Sequence, residues 1–93
     1  MNEVLHILQQ HKEALFKKYP LKSMALFGSY SRGEQTEDSD VDVMVELNMP
    51  DVRAFINLHY ELERIAKKKI DLVSRGGVKD RYFKIIEKDI LYV

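Results

Sequence analysis

Hydrophobic and polar residues repeat along this chain with two different periods, and each period predicts one kind of element. Near the N-terminus apolar residues recur every three or four positions, which is typical of a helix with one buried face, and Pro20 ends that segment. The apolar run at residues 24–27 stops at Gly28 and predicts a buried strand. A polar stretch follows over residues 29–39, and residues 40–47 then carry valine at every second position, as a strand does.

The second half of the chain continues the alternation of helix and strand. Residues 48–51 indicate a turn, and the helix after them is expected to bury one stripe, made of Val52, Phe55, Ile56, Leu62, Ile65 and Ala66. Residues 70–73 predict a third strand, Gly76 and Gly77 a turn, and residues 82–86 and 90–93 a last helix and a short strand. This order predicts an α/β (α+β) fold in which a small mixed β-sheet packs with helices, as a single domain over residues 1–93.

The composition narrows the classes of protein that remain. The 93 residues carry 15 Lys and Arg against 15 Asp and Glu, and this zero net charge gives no argument for binding nucleic acid or a membrane, so we expect neither as a partner. The absence of cysteine excludes disulfides, thiolate metal sites and thiol nucleophiles. The sequence has neither a secretion signal nor the ~20 consecutive apolar residues that span a bilayer, and a cytoplasmic location is expected.

Three aspartates on the predicted strands indicate a metal site. In an extended strand Asp40 and Asp42 point to the same side, and the valines point to the other. Neighbouring carboxylates repel each other unless a cation lies between them, and Asp71 adds a third from within an apolar strand, where an unpaired charge is costly. If the third strand pairs with the second, all three converge, and an oxygen-only ligand set favours Mg²⁺ or Mn²⁺. The alternative is that Asp40 and Asp42 are solvated residues at a strand end.

Gly28 and Ser29 stand where the first strand enters the polar segment. Glycine lets the backbone come close to a ligand, and the N–H groups that follow it, with the Ser29 hydroxyl, can hold phosphate oxygens. Arg32 can add a forked cationic contact to a polyphosphate. The alternative makes Gly28 a turn glycine, Ser29 a helix cap and Arg32 a surface ion-pair partner. A P-loop is excluded, because Glu34 and Gln35 replace its lysine and its serine or threonine.

These two groups predict a reaction when they are combined. Phosphates at Gly28 and Ser29 would meet metal ions at Asp40 and Asp42. Two such ions roughly 3.5–4 Å apart can activate an attacking oxygen and stabilise a leaving one in an in-line displacement. Asp71 would orient and deprotonate the incoming hydroxyl group.

Residues 26–34, Leu-Phe-Gly-Ser-Tyr-Ser-Arg-Gly-Glu, and residues 39–43, Ser-Asp-Val-Asp-Val, resemble the signature of the DNA polymerase β-like nucleotidyltransferase superfamily. Ten residues separate Ser29 from Asp40, and residues 70–73 match the strand that bears the third carboxylate. The likeness extends over essentially the whole chain and is greatest to the minimal nucleotidyltransferase (MNT) family. It implies the polymerase β-like nucleotidyltransferase fold.

The MNT resemblance also implies an activity, a partner and a set of residue roles. It implies an antitoxin that transfers AMP from its substrate ATP to a tyrosine of a HEPN-domain ribonuclease toxin, with two Mg²⁺ ions, or Mn²⁺ in their place. The implied catalytic and metal-binding residues are Asp40, Asp42 and Asp71, and the implied nucleotide-binding residues are Gly28 and Ser29. Arg32 joins them on the chemistry of its guanidinium group and not through the resemblance. Two alternatives remain open: a non-catalytic antitoxin that masks the HEPN partner, and a nucleotidyltransferase that acts on a small molecule or an RNA end.

Overall fold

The computed structural model describes residues 2–93, and its helices and strands follow the predicted order. The elements are α1 (Glu3–Lys18), β1 (Leu21–Phe27), the one-turn helix α2 (Ser29–Arg32), β2 (Val41–Leu47), α3 (Val52–Ala66), β3 (Ile70–Ser74), α4 (Asp80–Ile86) and β4 (Leu91–Tyr92). A single 3₁₀ turn, Arg75–Gly77, lies at the predicted glycine turn. Within residues 2–93 no helix combines the length and the hydrophobicity that crossing a bilayer requires.

The four strands form one mixed sheet in the order β3-β2-β1-β4. Strand β1 runs antiparallel to β2 and β4, whereas β2 and β3 are parallel and are connected through α3. The register places Asp42 of β2 between Phe27 of β1 and Asp71 of β3. The sheet therefore brings the end of β1 and the beginnings of β2 and β3 to the same edge, and the prediction of a mixed sheet with helices is confirmed.

The hydrophobic core lies on one face of the sheet, beneath α1 and α3. Val41, Val43 and Val45 are fully buried and belong to the same cluster as leucines from both helices. Complete burial of such a side chain contributes about 1.5–3 kcal/mol to folding. Because side chains alternate along a strand, burying these valines turns Asp42 toward the opposite face of β2.

The buried stripe of α3 differs from the predicted one. Leu58, Leu62 and Ala66 are buried, while Val52 is 77% and Ile56 46% exposed. Val52 and Ile56 lie on a neighbouring row of the helix, and the sheet covers the row that contains Leu58 and Leu62. The prediction that Val52 and Ile56 are buried is therefore wrong, and the stripe omitted Leu58.

Two N-caps fix where the long helices begin. The Asn2 side chain accepts a hydrogen bond from the Leu5 amide at 3.0 Å, and Asp51 accepts one from the Ala54 amide at the same distance. The Asn2 amide also donates to the Tyr30 carbonyl at 2.7 Å. The start of α1 is thus tied to α2, the short helix that follows Gly28.

The second face of the sheet is partly covered by α4. Phe83 of α4 lies under the Arg75 guanidinium, whose carbon is 3.8 Å from the ring centre, and Arg75 also donates to the Val78 carbonyl at 3.2 Å. Phe83 lines a small cavity together with Ala25 and Met44, which lies two positions after Asp42 on the same side of β2. The covered part of this face therefore borders the part that carries the aspartates.

Tyr19 and Glu61 join α3 to the chain just after α1. The Tyr19 hydroxyl donates to Glu61 at 2.6 Å, and Lys18 donates to the same carboxylate oxygen at 2.9 Å. Burial, and then the Glu61 carboxylate, raise the pKa of Tyr19 to about 12. The hydrogen bonds from Tyr19 and Lys18 lower the pKa of Glu61.

We expect Tyr19→Phe to lower the free energy of unfolding by about 1–2 kcal/mol at neutral pH, because it removes a hydrogen bond to a charged group. Glu61 titrates below its ordinary pKa, so this contribution is complete above pH 4.5 and is lost as the pH falls through the lowered pKa. It is also lost as the pH rises from 10.0 to about 12. Urea denaturation across this range measures the effect. Tyr60→Phe, at a tyrosine that is 68% exposed, is the control and should change little.

Candidate active site

Gly28 ends β1 and turns the chain into α2. Its φ of 71° and ψ of −147° lie in a region that L-residues with a side chain rarely adopt. The Gly28 carbonyl accepts hydrogen bonds from the Ser31 hydroxyl at 2.8 Å and from the Ser31 and Arg32 amides at 3.2 and 3.3 Å. Ser29 is the first residue of α2 and is half-buried. The predicted turn is present, and its conformation requires glycine.

The absence of a side chain at Gly28 makes room for Asp42. A Cβ atom at this position would overlap the Asp42 carboxylate. Gly33 has the same φ of 71° but no atom within 4 Å of the equivalent position, so it serves only the left-handed end of α2. The structure therefore brings the Gly28-Ser29 turn into direct contact with the second aspartate of Asp40-Val41-Asp42.

The three predicted carboxylates lie together, and Asp42 is the central one. Asp42 is half-buried, while Asp40 and Asp71 are exposed. Burial, the negative charges of Asp71 and Asp40, and a hydrogen bond to Asp71 all raise the pKa of Asp42 above its ordinary 3.8. The expectation that Asp71 is a costly carboxylate within an apolar strand is wrong. Its neighbours in β3, Ile70 and Leu72, are buried, but the Asp71 side chain itself is exposed. That cost falls on Asp42.

Arg32 lies at the margin of this acidic group. Its Nε atom donates to Glu34 at 2.9 Å, as the surface ion-pair alternative expects. It is also near enough to Asp42 to lower the pKa of that carboxyl in part, and Asp89 faces it from the segment between α4 and β4. Asp89 was not predicted at the site, since only the pairing of β4 with β1 brings it there.

The donor set at this edge of the sheet is made of oxygen atoms. Asp42 and Asp71 lie side by side with Asp40 nearby, and their mutual repulsion is the electrostatic condition that a divalent cation relieves. Among the side chains of residues 2–93, no three His, Cys, Asp or Glu are already arranged to enclose a metal ion. The residues fit a hard cation: Asp42 and Asp71 would be its protein ligands, and other oxygen atoms would complete the set.

A glycine-serine turn faces carboxylates on two strands, an arrangement that can hold phosphate oxygens beside a cation. The chain belongs to the nucleotidyltransferase domain family, whose family model matches residues 8–93. It is 45% identical, over 97 aligned positions, to a candidate protein adenylyltransferase of Methanocaldococcus jannaschii, and the match covers 100% of this chain and 97% of the relative. It is 35% identical to the protein adenylyltransferase MntA of Thermococcus cleftensis, with 100% and 95% covered.

Solved structures share the fold. A minimal nucleotidyltransferase superposes with a TM-score of 0.77 at 26% identity, covering 94% of this chain and 93% of the other. A toxin–antitoxin complex with AMP-PNP gives 0.73 at 24% identity, with 90% and 70% covered. A Shewanella oneidensis complex of a tri-AMPylated HEPN toxin with an MNT antitoxin gives 0.66 at 22%, with 99% and 71% covered. The predicted fold and the predicted enzyme class, a nucleotidyltransferase, are confirmed.

We expect Gly28→Ala to destabilise the protein more than Gly33→Ala. Alanine at Gly33 would take the left-handed conformation, φ 71° and ψ 22°, which costs about 1–2 kcal/mol. Alanine at Gly28 would take φ 71° and ψ −147°, a region that is nearly confined to glycine, so its backbone cost is higher. Only alanine at Gly28 also displaces the Asp42 carboxylate. Thermal unfolding of the two variants measures the difference. Equal losses of stability would show that the contact between Gly28 and Asp42 is not tight.

We expect Asp42→Asn to raise the unfolding free energy in metal-free buffer at neutral pH, by up to about 1 kcal/mol because solvent screens this partly exposed group. The pKa of Asp42 is raised in the folded state, so wild-type stability falls as the pH rises from 3.8 through that higher pKa. The advantage of the variant should therefore vanish below pH 3.8. Asp38→Asn, at an exposed turn residue, is the control. An equal rise in its unfolding free energy would contradict the assignment of the repulsion to Asp42.

Proposed function

We propose that this chain is an antitoxin that transfers AMP from ATP to a tyrosine of a HEPN-domain toxin in a Mg²⁺-dependent reaction. The observation that carries the proposal is the contact of Asp42 with both Gly28 and Asp71. This contact joins a phosphate-binding turn to a pair of carboxylates. The names of the relatives, protein adenylyltransferases, support AMP as the transferred group. The complexes with AMP-PNP and with an AMPylated HEPN toxin support the nucleotide and the partner.

Asp40, Asp42 and Asp71 are the proposed metal ligands. Mg²⁺, or Mn²⁺ in its place, would neutralise the repulsion that raises the pKa of Asp42. When bound, the ions supply charge stabilisation for the phosphate oxygens during the displacement. The exposure of Asp40 and Asp71 leaves their oxygen atoms accessible to a nucleotide as well as to a cation.

The other residues bind and orient the two substrates. The backbone after Gly28 and the Ser29 hydroxyl hold the triphosphate, and Arg32 exchanges its contact with Glu34 for a phosphate oxygen. The tyrosine oxygen of the partner attacks the α-phosphorus, the bond from that phosphorus to the bridging oxygen breaks, and pyrophosphate leaves. Asp71, which is exposed at the edge of the sheet, accepts the proton of the tyrosine hydroxyl.

The test is to incubate the chain with α-labelled ATP, Mg²⁺ and the HEPN protein encoded beside it. We expect label on the HEPN protein, and mass spectrometry should find AMP on a tyrosine. Asp42→Asn should reduce the transfer rate on the order of 10²-fold or more, because it removes a carboxylate that would hold the cation beside the reacting phosphate. Asp38→Asn should leave the rate unchanged. Mg²⁺ should also raise the unfolding temperature of the wild type more than that of Asp42→Asn.

The same experiment separates the alternatives. If the Asp40→Asn, Asp42→Asn double variant still protects cells from an active toxin, the chain neutralises its partner by masking it. If label appears on a small molecule or on an RNA end instead, the acceptor has been assigned to the wrong class. An unlabelled HEPN protein, with a folded chain and an active toxin, would refute the proposed transfer.

A further inference from the structure

Phe27 is an aromatic residue that lies beside the candidate active site and outside the hydrophobic core. The core, in the part of the chain that the structure describes, includes its neighbour Leu26 but not Phe27. Side chains alternate along β1, so Phe27 points to the same face as Ala25, which lines the cavity beneath Phe83 of α4. Phe27 is half-buried. Part of its side chain is therefore open to solvent on the face that carries the aspartates.

The register of the sheet places Phe27 in one row with two of the carboxylates. Asp42 pairs with Phe27 of β1 on one side and with Asp71 of β3 on the other. Adjacent strands lie about 4.8 Å apart, so the two ends of this row are roughly 10 Å from each other. An aromatic ring thus occupies one end of the row, and the proposed proton acceptor occupies the other.

The turn that is proposed to hold phosphate begins directly after Phe27. Gly28 turns the chain out of β1, so the turn lies beyond the end of the strand, whereas Phe27 remains within it. A Cβ atom at Gly28 would overlap the Asp42 carboxylate, which shows how closely the turn approaches that side chain. A nucleotide whose phosphates lie between the turn and Asp42 can place its base toward either end of the row.

The proposed reaction leaves the Phe27 end of the row to the base. Asp71 accepts the proton of the attacking hydroxyl group, so the acceptor occupies the end at β3. The end at β1 offers an apolar ring, and every nucleobase has a flat face that can stack on an aromatic side chain. The tyrosine of the acceptor also has a flat ring, but its oxygen must reach Asp71, two strands away from Phe27.

We propose that Phe27 is the base-stacking residue of the site: one face of the nucleobase lies on its ring while the Gly28-Ser29 turn holds the phosphates. This inference rests on the proposed function for the side from which the acceptor approaches. Stacking does not depend on the hydrogen-bonding groups at the edge of the base. Phe27 therefore contributes affinity for a nucleoside triphosphate without distinguishing adenine from guanine.

The test measures binding of AMP-PNP to the full-length chain by calorimetry, with Mg²⁺ and without the HEPN protein. Phe27→Leu should weaken this binding about tenfold, because leucine keeps an apolar side chain but removes the flat ring. GMP-PNP should lose the same factor. Inorganic tripolyphosphate, which has no base, should bind the variant and the wild type equally. Phe27→Tyr keeps the ring and should bind AMP-PNP as the wild type does.

Phe83→Leu is the matched control. Phe83 is another half-buried phenylalanine on this face, but its ring is covered by Arg75, whose guanidinium carbon is 3.8 Å from the ring centre. Its substitution should leave the affinity for AMP-PNP unchanged. Thermal unfolding without ligand shows whether each variant is folded. In the wild type, AMP-PNP should shift the NMR signals of the Phe27 ring and tripolyphosphate should not, which tests the contact without any substitution.

The outcomes distinguish base stacking from transfer. If folded Phe27→Leu binds AMP-PNP as the wild type does, or loses affinity for tripolyphosphate by the same factor, stacking is refuted even when label reaches the HEPN protein. A loss confined to one of the two bases refutes it as well. If affinity depends on Phe27 as expected but the HEPN protein is never labelled, stacking stands and the proposed transfer fails. A wild-type chain that binds neither AMP-PNP nor tripolyphosphate refutes both proposals.

Discussion

The repulsion between two carboxylates held side by side is the constraint on which the site depends. Asp42 and Asp71 occupy paired positions on parallel strands, so their Cα atoms stay side by side unless the strand register changes. Partial burial of Asp42 strengthens the repulsion, because less water screens the charge. The folded chain therefore maintains an arrangement that is unfavourable by itself and that a bound cation would relieve.

The stability that opposes this repulsion comes from the other side of the same strands. Val41 and Val43 flank Asp42 and are fully buried against α1 and α3. Ile70 and Leu72 flank Asp71 and are buried in the same core. A slip of one residue in either strand would expose these apolar side chains and bury the aspartates. The alternation of side chains along a strand thus makes the core and the acidic site two consequences of one register.

That alternation also explains which parts of the structure could be predicted. Strand periodicity alone predicts that Asp42 points away from the buried valines, and the position of Asp71 follows once β3 is assumed to pair with β2. Asp40 was predicted in the same strand, but β2 begins at Val41. Two features needed the three-dimensional packing. The close approach of Gly28 to the Asp42 carboxylate depends on the antiparallel register of β1 and β2. The exposure of Val52 and Ile56 depends on which of two apolar rows of α3 the sheet covers, and helical periodicity does not distinguish adjacent rows.

The row of α3 that contains Val52 and Ile56 was predicted to be buried, but the core does not need it. Leu58 and Leu62 belong to the row that packs into the core. Val52 and Ile56 lie outside the core, so their exposure lowers solubility without increasing stability. A second apolar row beside the first is understandable if another molecule covers it. The parallel connection from β2 through α3 to β3 places this row and the aspartates on opposite faces of the sheet.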